Sequence, residues 1–276
     1  MRVYEDRPTH LLRAADSMTR PPLRLPFLTN TAPTPDPKGR VESAAGILLD
    51  WDGCVAHDDK PHAAGLAFLR RYADKIAILS NSSTLWPSDI HDVLAGFGIT
   101  IPAERIILAG HHALLVAAHL GLATTVLGNS HMRALARQLG VHQVTENPAV
   151  IVLMRDTKFT YSRLKFGVNA LAKGARLIVA NPDLTHPGPH GTLAPETGAL
   201  LAAFGACLPL DQIPIEVIGK PHAQLFHMAC QALELQPREA LMIGDNPHTD
   251  IEGARRLGMP ALLVSPGSTL GLEDLC

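Results

Sequence analysis

Two aspartates, Asp50 and Asp52, stand one residue apart where an apolar run ends in GILLDWDGCV. Asp245 ends another run, ALMIGD, with Asp250 five residues on, and two further runs end in Ser80 (KIAILS) and Lys220 (IEVIGK). Carboxylates brought together from separate strand ends form the oxygen-rich, anionic pocket that a hard Mg²⁺ ion requires. A serine hydroxyl and a lysine ammonium are donors for phosphoryl oxygens, and Mg²⁺ can bridge such an oxygen to the carboxylates. A phosphoryl group neutralised in this way accepts a carboxylate nucleophile, and the resulting aspartyl-phosphate divides one difficult hydrolysis into two displacements. Asp52, two residues past the attacking carboxylate, can protonate the leaving oxygen and later deprotonate water. Gly53 lets the chain turn tightly behind the pair.

The elements that must position these groups follow from the hydrophobic pattern. From residue 46 on, short continuous apolar runs such as GILLD, AVIVLM, RLIVAN and ALMIGD alternate with segments of helical spacing such as AQLFHMACQALEL. Continuous apolar strands belong to sheets covered on both faces, so the fold class is α/β with a mainly parallel sheet. In such a sheet ligands bind beyond the carboxyl ends of the strands, where the four reactive endings fall. Residues 1–45 are broken by prolines (RPPLRLPF, TAPTPDPKGR) and read as an N-terminal extension.

Composition bounds the partners. With 276 residues, 46% of them hydrophobic, the chain can bury a large core or two smaller ones. A formal charge of -2 gives no electrostatic footprint for nucleic acid or an anionic membrane. No apolar run approaches the roughly 20 residues that span a bilayer, and the first thirty lack a signal-peptide core, so a cytoplasmic protein is expected. The four cysteines are scattered without a CxxC pair, which fits a reducing compartment. Fourteen histidines, including His111, His112, His222 and His227, show no recognisable ligand constellation. Trp51 is expected to pack in the core, and Cys54 reads as a small buried filler, although an adduct there would misplace Asp52.

The order DWDG, SNSS, GKP, GDNPHTD resembles the four signature motifs of the haloacid dehalogenase superfamily, in its magnesium-dependent phosphatase branch. With FTYSRLKFGVNALAKGARLIVANPD and LMIGDNPHTDIEGARRLGMPALLVSPG, the resemblance extends over residues 46–270 to the NagD-like, p-nitrophenylphosphatase-like subfamily. It implies a Rossmann-like parallel-sheet core (46–121 and 194–276) with an inserted α/β cap (122–193). Asp50 would be the nucleophile and Asp52 the acid/base, with Ser80, Asn81 and Lys220 on the phosphate. Mg²⁺ would be held by Asp50, the main-chain carbonyl of Asp52 and Asp245. Asp250 and Asn246 would support them from behind, Asp250 by orienting Lys220 or a metal-bound water.

In the cap, ANPD would bring Asn181 and Asp183 towards the substrate, followed by His186 and His190. The implied reaction is hydrolysis of a small phosphomonoester, such as a sugar phosphate or nucleotide, and cap-to-cap homodimers are compatible with it. A phosphotransferase or mutase would keep the same groups. A non-enzymatic phospho-acceptor would need neither Asp52 nor a cap. Serines stand where relatives of this type often read TNN, which keeps a hydroxyl donor at Ser80.

Overall fold

The continuous apolar runs form the inner strands of two parallel sheets in the computed structural model, which describes residues 36–57, 60–187, 192–264 and 270–276. The first sheet has five strands: β1 (Gly46–Leu49), β4 (Ile76–Ser80), β5 (Ile106–Leu108), β12 (Ala240–Gly244) and β13 (Ala261–Leu263). Their order is β13-β12-β1-β4-β5, every pairing is parallel, and every residue of β1, β4 and β12 is buried. Side chains alternate between the two faces of a strand. Leu48, Ala77, Leu79 and Met242 accordingly join one apolar cluster, while Ile47, Leu49, Ile76, Ile78, Leu241 and Ile243 join another. Trp51 and Cys54 lie buried in that second cluster, as expected of Trp51 as a packing residue.

The second sheet contains β6 (Thr124–Leu127), β7 (Val150–Leu153), β8 (Arg176–Val179) and β11 (Ile215–Val217), in the order β11-β8-β7-β6 and again all parallel. Two short antiparallel pairs, β2 (Ala56–His57) with β3 (Lys60–Pro61) and β9 (Thr185–Pro187) with β10 (Leu193–Pro195), complete the strands among the described residues.

This arrangement corrects two expected boundaries. The cap does not close at residue 193, because β11 pairs with β8 in the second sheet. Helix Thr197–Gly205 belongs there too, burying Phe204 in the same cluster as Ile151 and Val179. The apolar run IEVIGK is therefore an edge strand of the cap rather than a strand of the core. At the other end, the expected extension does not reach residue 45. Helix Pro37–Ser43 buries Val41 against the body, and Lys75 Nζ donates to the carbonyls of Val41, Glu42 and Ala44 at 2.8, 3.2 and 3.1 Å, satisfying the helix end. The proline-rich residues 1–35 lie outside the described residues. Among those described, no helix is long and apolar enough to cross a membrane.

Strand order places the site. β1 is central, with β12 on one side and β4 on the other, and the Asp50 amide continues the ladder by donating to Ile243 O at 2.9 Å. Asp50, Asp245 and Ser80 therefore reach the same edge of the core sheet. Lys220 arrives from the cap. Ile218 and Gly219 still donate to Val179 O and Ala180 O of the β8 ladder, at 3.0 and 2.8 Å, before the chain crosses to the core.

Candidate active site

Lys220 is the hub of the buried half. Its Nζ lies 2.6 Å from Asp50 Oδ1 and 2.6 Å from Asp250 Oδ1, and donates to Leu79 O at 3.0 Å, with the side chain almost wholly buried. Burial alone would lower the ammonium's pKa, but the carboxylates of Asp250 and Asp50 outweigh it and raise it above the usual lysine value. The second oxygen of Asp250 accepts from the Asn246 amide at 3.0 Å. Asn246 itself caps the π-type turn Pro247–Ile251, its Oδ1 accepting from His248 N and Thr249 N at 2.9 and 3.3 Å. Asp250 and Asn246 thus stand behind Lys220, with both Asp250 oxygens engaged. Gly244 has no Cβ where one would collide with the Asp250 carboxylate.

Asp50, Asp245 and Asp250 can bring one carboxylate oxygen each within 4.8 Å of one another. Three carboxylates face one ammonium, leaving about two formal negative charges uncompensated in a largely buried cluster. Burial raises the Asp50 pKa well above the normal carboxylate value against the pull of Lys220, and burial raises that of Asp245 as well. The donor set and its charge excess fit a divalent cation bound by hard oxygen ligands. With Asp250 ion-paired to Lys220 through one oxygen and hydrogen-bonded to the Asn246 amide through the other, Asp50 and Asp245 are the members that would hold it.

Asp52 differs from Asp50 in exposure. It reaches solvent, whereas Asp50 is 4% exposed. Ser80 Oγ donates to Asp52 Oδ2 at 3.0 Å and accepts from Ser82 N at 2.9 Å, so the Ser80 hydroxyl ties the strand end to the exposed carboxylate. Gly53, at φ +86°, makes the turn immediately after the pair; a Cβ there would strike the Asp245 carboxylate.

The cap residues meet the core through amides. Asn81 Nδ2 donates to Asp183 Oδ2 at 2.9 Å, and Asn181 Nδ2 donates to Asn81 O at 2.8 Å. Asn181 also holds the Asp183 amide at 3.1 Å. Asn181 is buried, so it positions its neighbours; Asp183, whose pKa burial raises, lines the cavity. His186 lines it too, whereas His190 lies outside the described residues.

The expected site residues Asp50, Asp52, Ser80, Asn81, Asp183, Lys220, Asp245, Asn246 and Asp250 all border one cavity of about 230 Å³. Arg155 and Glu196, which the sequence reading passed over, border it as well. Arg155 Nη1 lies 3.6 Å from Glu196 Oε1, and that oxygen lies 3.0 Å from His186 Nδ1. Arg155 follows the carboxyl end of β7 by two residues, so the strand-end rule applied to the second sheet would have found it. Glu196 is an N-cap, its Oε2 accepting from Thr197 N at 3.1 Å, and nothing in its local sequence marks it as a cavity residue.

Two family models match the chain: haloacid dehalogenase-like hydrolase over residues 47–142, and HAD-hydrolase-like over 217–274. The sugar-phosphatase AraL of Bacillus subtilis is 30% identical over 234 residues, covering 82% of this chain and 85% of its own. A thermostable NPPase from Geobacillus stearothermophilus superposes with a TM-score of 0.70 at 26% identity, over 84% of this chain and 98% of that one. NagD from Escherichia coli K-12 shares the fold, with a TM-score of 0.68 at 23% identity, over 84% and 92% of the two chains. The chain belongs to the haloacid dehalogenase-like hydrolases, in their NagD-like, p-nitrophenylphosphatase-like branch of phosphatases.

Proposed function

We propose that the protein is a magnesium-dependent phosphatase that hydrolyses small phosphomonoesters through an aspartyl-phosphate on Asp50. The observation that carries this reading is the contrast within the DWDG pair. Asp50 is buried and ion-paired to Lys220 at 2.6 Å, while Asp52 is exposed and hydrogen-bonded to Ser80 at 3.0 Å. A nucleophile benefits from a dry site that fixes its direction, and a proton carrier from contact with solvent.

Asp50 attacks phosphorus, and the ester oxygen departs with a proton from Asp52. Asp52, now ionised, takes a proton from the water that cleaves the acyl phosphate. Ser80 and Lys220 bind the phosphoryl oxygens, Asn81, at the same strand end as Ser80, sets the Lys220 main chain beside them, and Asp250 and Asn246 hold the Lys220 side chain in place. Magnesium, held by Asp50, Asp245 and the main-chain carbonyl of Asp52, supplies charge neutralisation at the phosphoryl group. A small polar cavity beneath the cap suits a compact ester, in keeping with the sugar-phosphatase named among the relatives.

Phosphate release from p-nitrophenyl phosphate with and without Mg²⁺, followed by acid-quenched labelling, tests the proposal. Metal-dependent release and a labile phosphate on Asp50 are expected. Undiminished turnover in a chelator, or a stable label on Ser80 or a histidine, would overturn it.

A further inference from the structure

The cap half of the cavity carries an ion pair that the proposed hydrolysis does not use. Arg155 leaves β7 with its amide held by Ser83 Oγ at 3.1 Å, so the cap guanidinium is registered on the core loop that follows Ser80. Its Nη1 lies 3.6 Å from Glu196 Oε1, beyond direct hydrogen-bond length, so a ligand hydroxyl lying beside the pair, rather than between its members, can reach both atoms. Glu196 is largely buried, and its other oxygen is committed to the Thr197 amide at 3.1 Å. The carboxylate therefore cannot swing away without uncapping helix Thr197–Gly205. Burial raises its pKa, and Arg155 opposes that rise.

Three features of this half restrict what can sit above the phosphoryl group. First, charge: Glu196 and Asp183 present two carboxylates against the Arg155 guanidinium, with His186 Nδ1 3.0 Å from the same Glu196 oxygen, so a second ligand anion would meet repulsion as well as attraction. Second, stacking: among the described lining residues the only rings are the imidazoles of His57 and His186, so a nucleobase finds no broad aromatic face. Third, size: about 230 Å³ falls below the roughly 300–1,000 Å³ of pockets for drug-sized ligands. Closely spaced donors and acceptors in a small space match a chain of hydroxyls, each of which can both donate and accept.

We propose that the Arg155–Glu196 pair is the specificity determinant of this enzyme, selecting an uncharged polyol leaving group. One hydroxyl of the leaving group accepts from Arg155 and donates to Glu196, while Glu196 and Asp183 turn away leaving groups that carry a carboxylate. This inference rests on the phosphatase reading above and adds the chemical class of the ester.

The test compares kcat/KM for glycerol 1-phosphate and 3-phosphoglycerate, which have three-carbon skeletons and differ in whether the far end is a hydroxyl or a carboxylate. Wild type should favour glycerol 1-phosphate by about tenfold or more. Glu196→Gln keeps an oxygen for the Thr197 amide but removes the charge, leaving Arg155 uncompensated; it should shift the ratio towards 3-phosphoglycerate by about tenfold. Arg155→Gln should shift it the other way, and the Glu196→Gln effect should shrink in the double variant. If wild type turns over p-nitrophenyl phosphate but does not favour glycerol 1-phosphate, or if the ratio stays put in Glu196→Gln, the pair does not select, and the phosphatase reading stands without it. If Glu196→Gln does not fold, Arg155→Gln alone decides, an unchanged ratio again rejecting the proposal. Absence of Mg²⁺-dependent release from every monoester, p-nitrophenyl phosphate included, would bring both readings down.

Discussion

Asn81 grips the main chain of Lys220 with both ends of its carboxamide. Oδ1 accepts from the Lys220 amide at 2.7 Å, and Nδ2 donates to the Lys220 carbonyl at 3.0 Å while also reaching Asp183. Asn81 follows a core strand, whereas Lys220 follows a strand of the cap sheet, so one side chain sets the register between the two bodies at the proposed phosphate site. Asn81→Ala should leave the fold intact and lower kcat/KM on p-nitrophenyl phosphate by about 10²-fold, the scale expected when a positioning contact is lost. Metal affinity should hardly change, because Asn81 touches none of the three clustered carboxylates. A variant with wild-type kcat/KM would show that Lys220 is held adequately by Asp50, Asp250 and Leu79.

Asp52 and Asp50 should fail in different ways. Asp50→Asn removes the proposed attacking group and should reduce turnover to background. Asp52→Asn keeps the nucleophile and the Lys220 clamp but loses proton transfer, at a cost of roughly 10²- to 10⁴-fold per assisted step. An aryl phosphate needs little protonation to depart, so its first step should survive better than that of an alkyl phosphate. Acid quenching of Asp52→Asn supplied with the aryl ester should then trap phosphate on Asp50. Equal losses on aryl and alkyl esters, with no trapped species, would refute the division of labour.

Gly53 offers a test of the metal assignment that changes no ligand. At φ +86° an alanine is strained, and its methyl group would run into the Asp245 carboxylate. Gly53→Ala should therefore weaken Mg²⁺ binding, seen as a smaller rise in Tm on adding Mg²⁺ and a higher Mg²⁺ requirement for turnover. Asp245→Ala should abolish most of that rise. If both variants keep the wild-type Mg²⁺ response, the ion is held elsewhere.

The core half of the site was legible because chemistry and topology coincide there. Asp50, Ser80 and Asp245 each end a continuous apolar strand, and parallel strands deliver their ends to one edge. Lys220 was legible as a residue but not by its sheet. IEVIGK looks like any core strand, and only its pairing with Leu177–Val179 assigns it to the cap. The same three-residue edge strand carried the cap boundary from 193 to 217. Arg155 and Glu196 stayed hidden for a different reason: they lie 41 residues apart in the chain, and the pairing exists only once helix Thr197–Gly205 packs near β7. Asn181 and Asp183 were found from the ANPD motif, but their separate roles, one buried and one facing the cavity, depend on the bond to Asn81.

Cys54 lies two residues beyond Asp52, and its environment predicts that it is chemically quiet. The side chain is 3% exposed within the cluster beneath the sheet edge. Burial pushes the thiol's pKa well above its ordinary value, and the negative charges of Asp50, Asp245 and Asp250 push the same way. The thiolate is the reactive form, so a raised pKa keeps Cys54 protonated at a pH where an ordinary thiol has begun to ionise. Cys207 is exposed and serves as the internal control. Iodoacetamide at about pH 8.5, near the ordinary thiol pKa, should alkylate Cys207 in the native protein and leave Cys54 untouched until denaturant is added. Peptide mass spectrometry reads both sites in one experiment. Peroxide inhibition should likewise be the same in wild type and Cys54→Ser, since a protonated, buried sulfur is a poor entry to the sulfenic acid. Native labelling of Cys54 at the rate of Cys207 would mean that the turn behind Asp52 opens to solvent, and that the carboxylate it carries is set by a moving segment rather than by the fixed edge of the sheet.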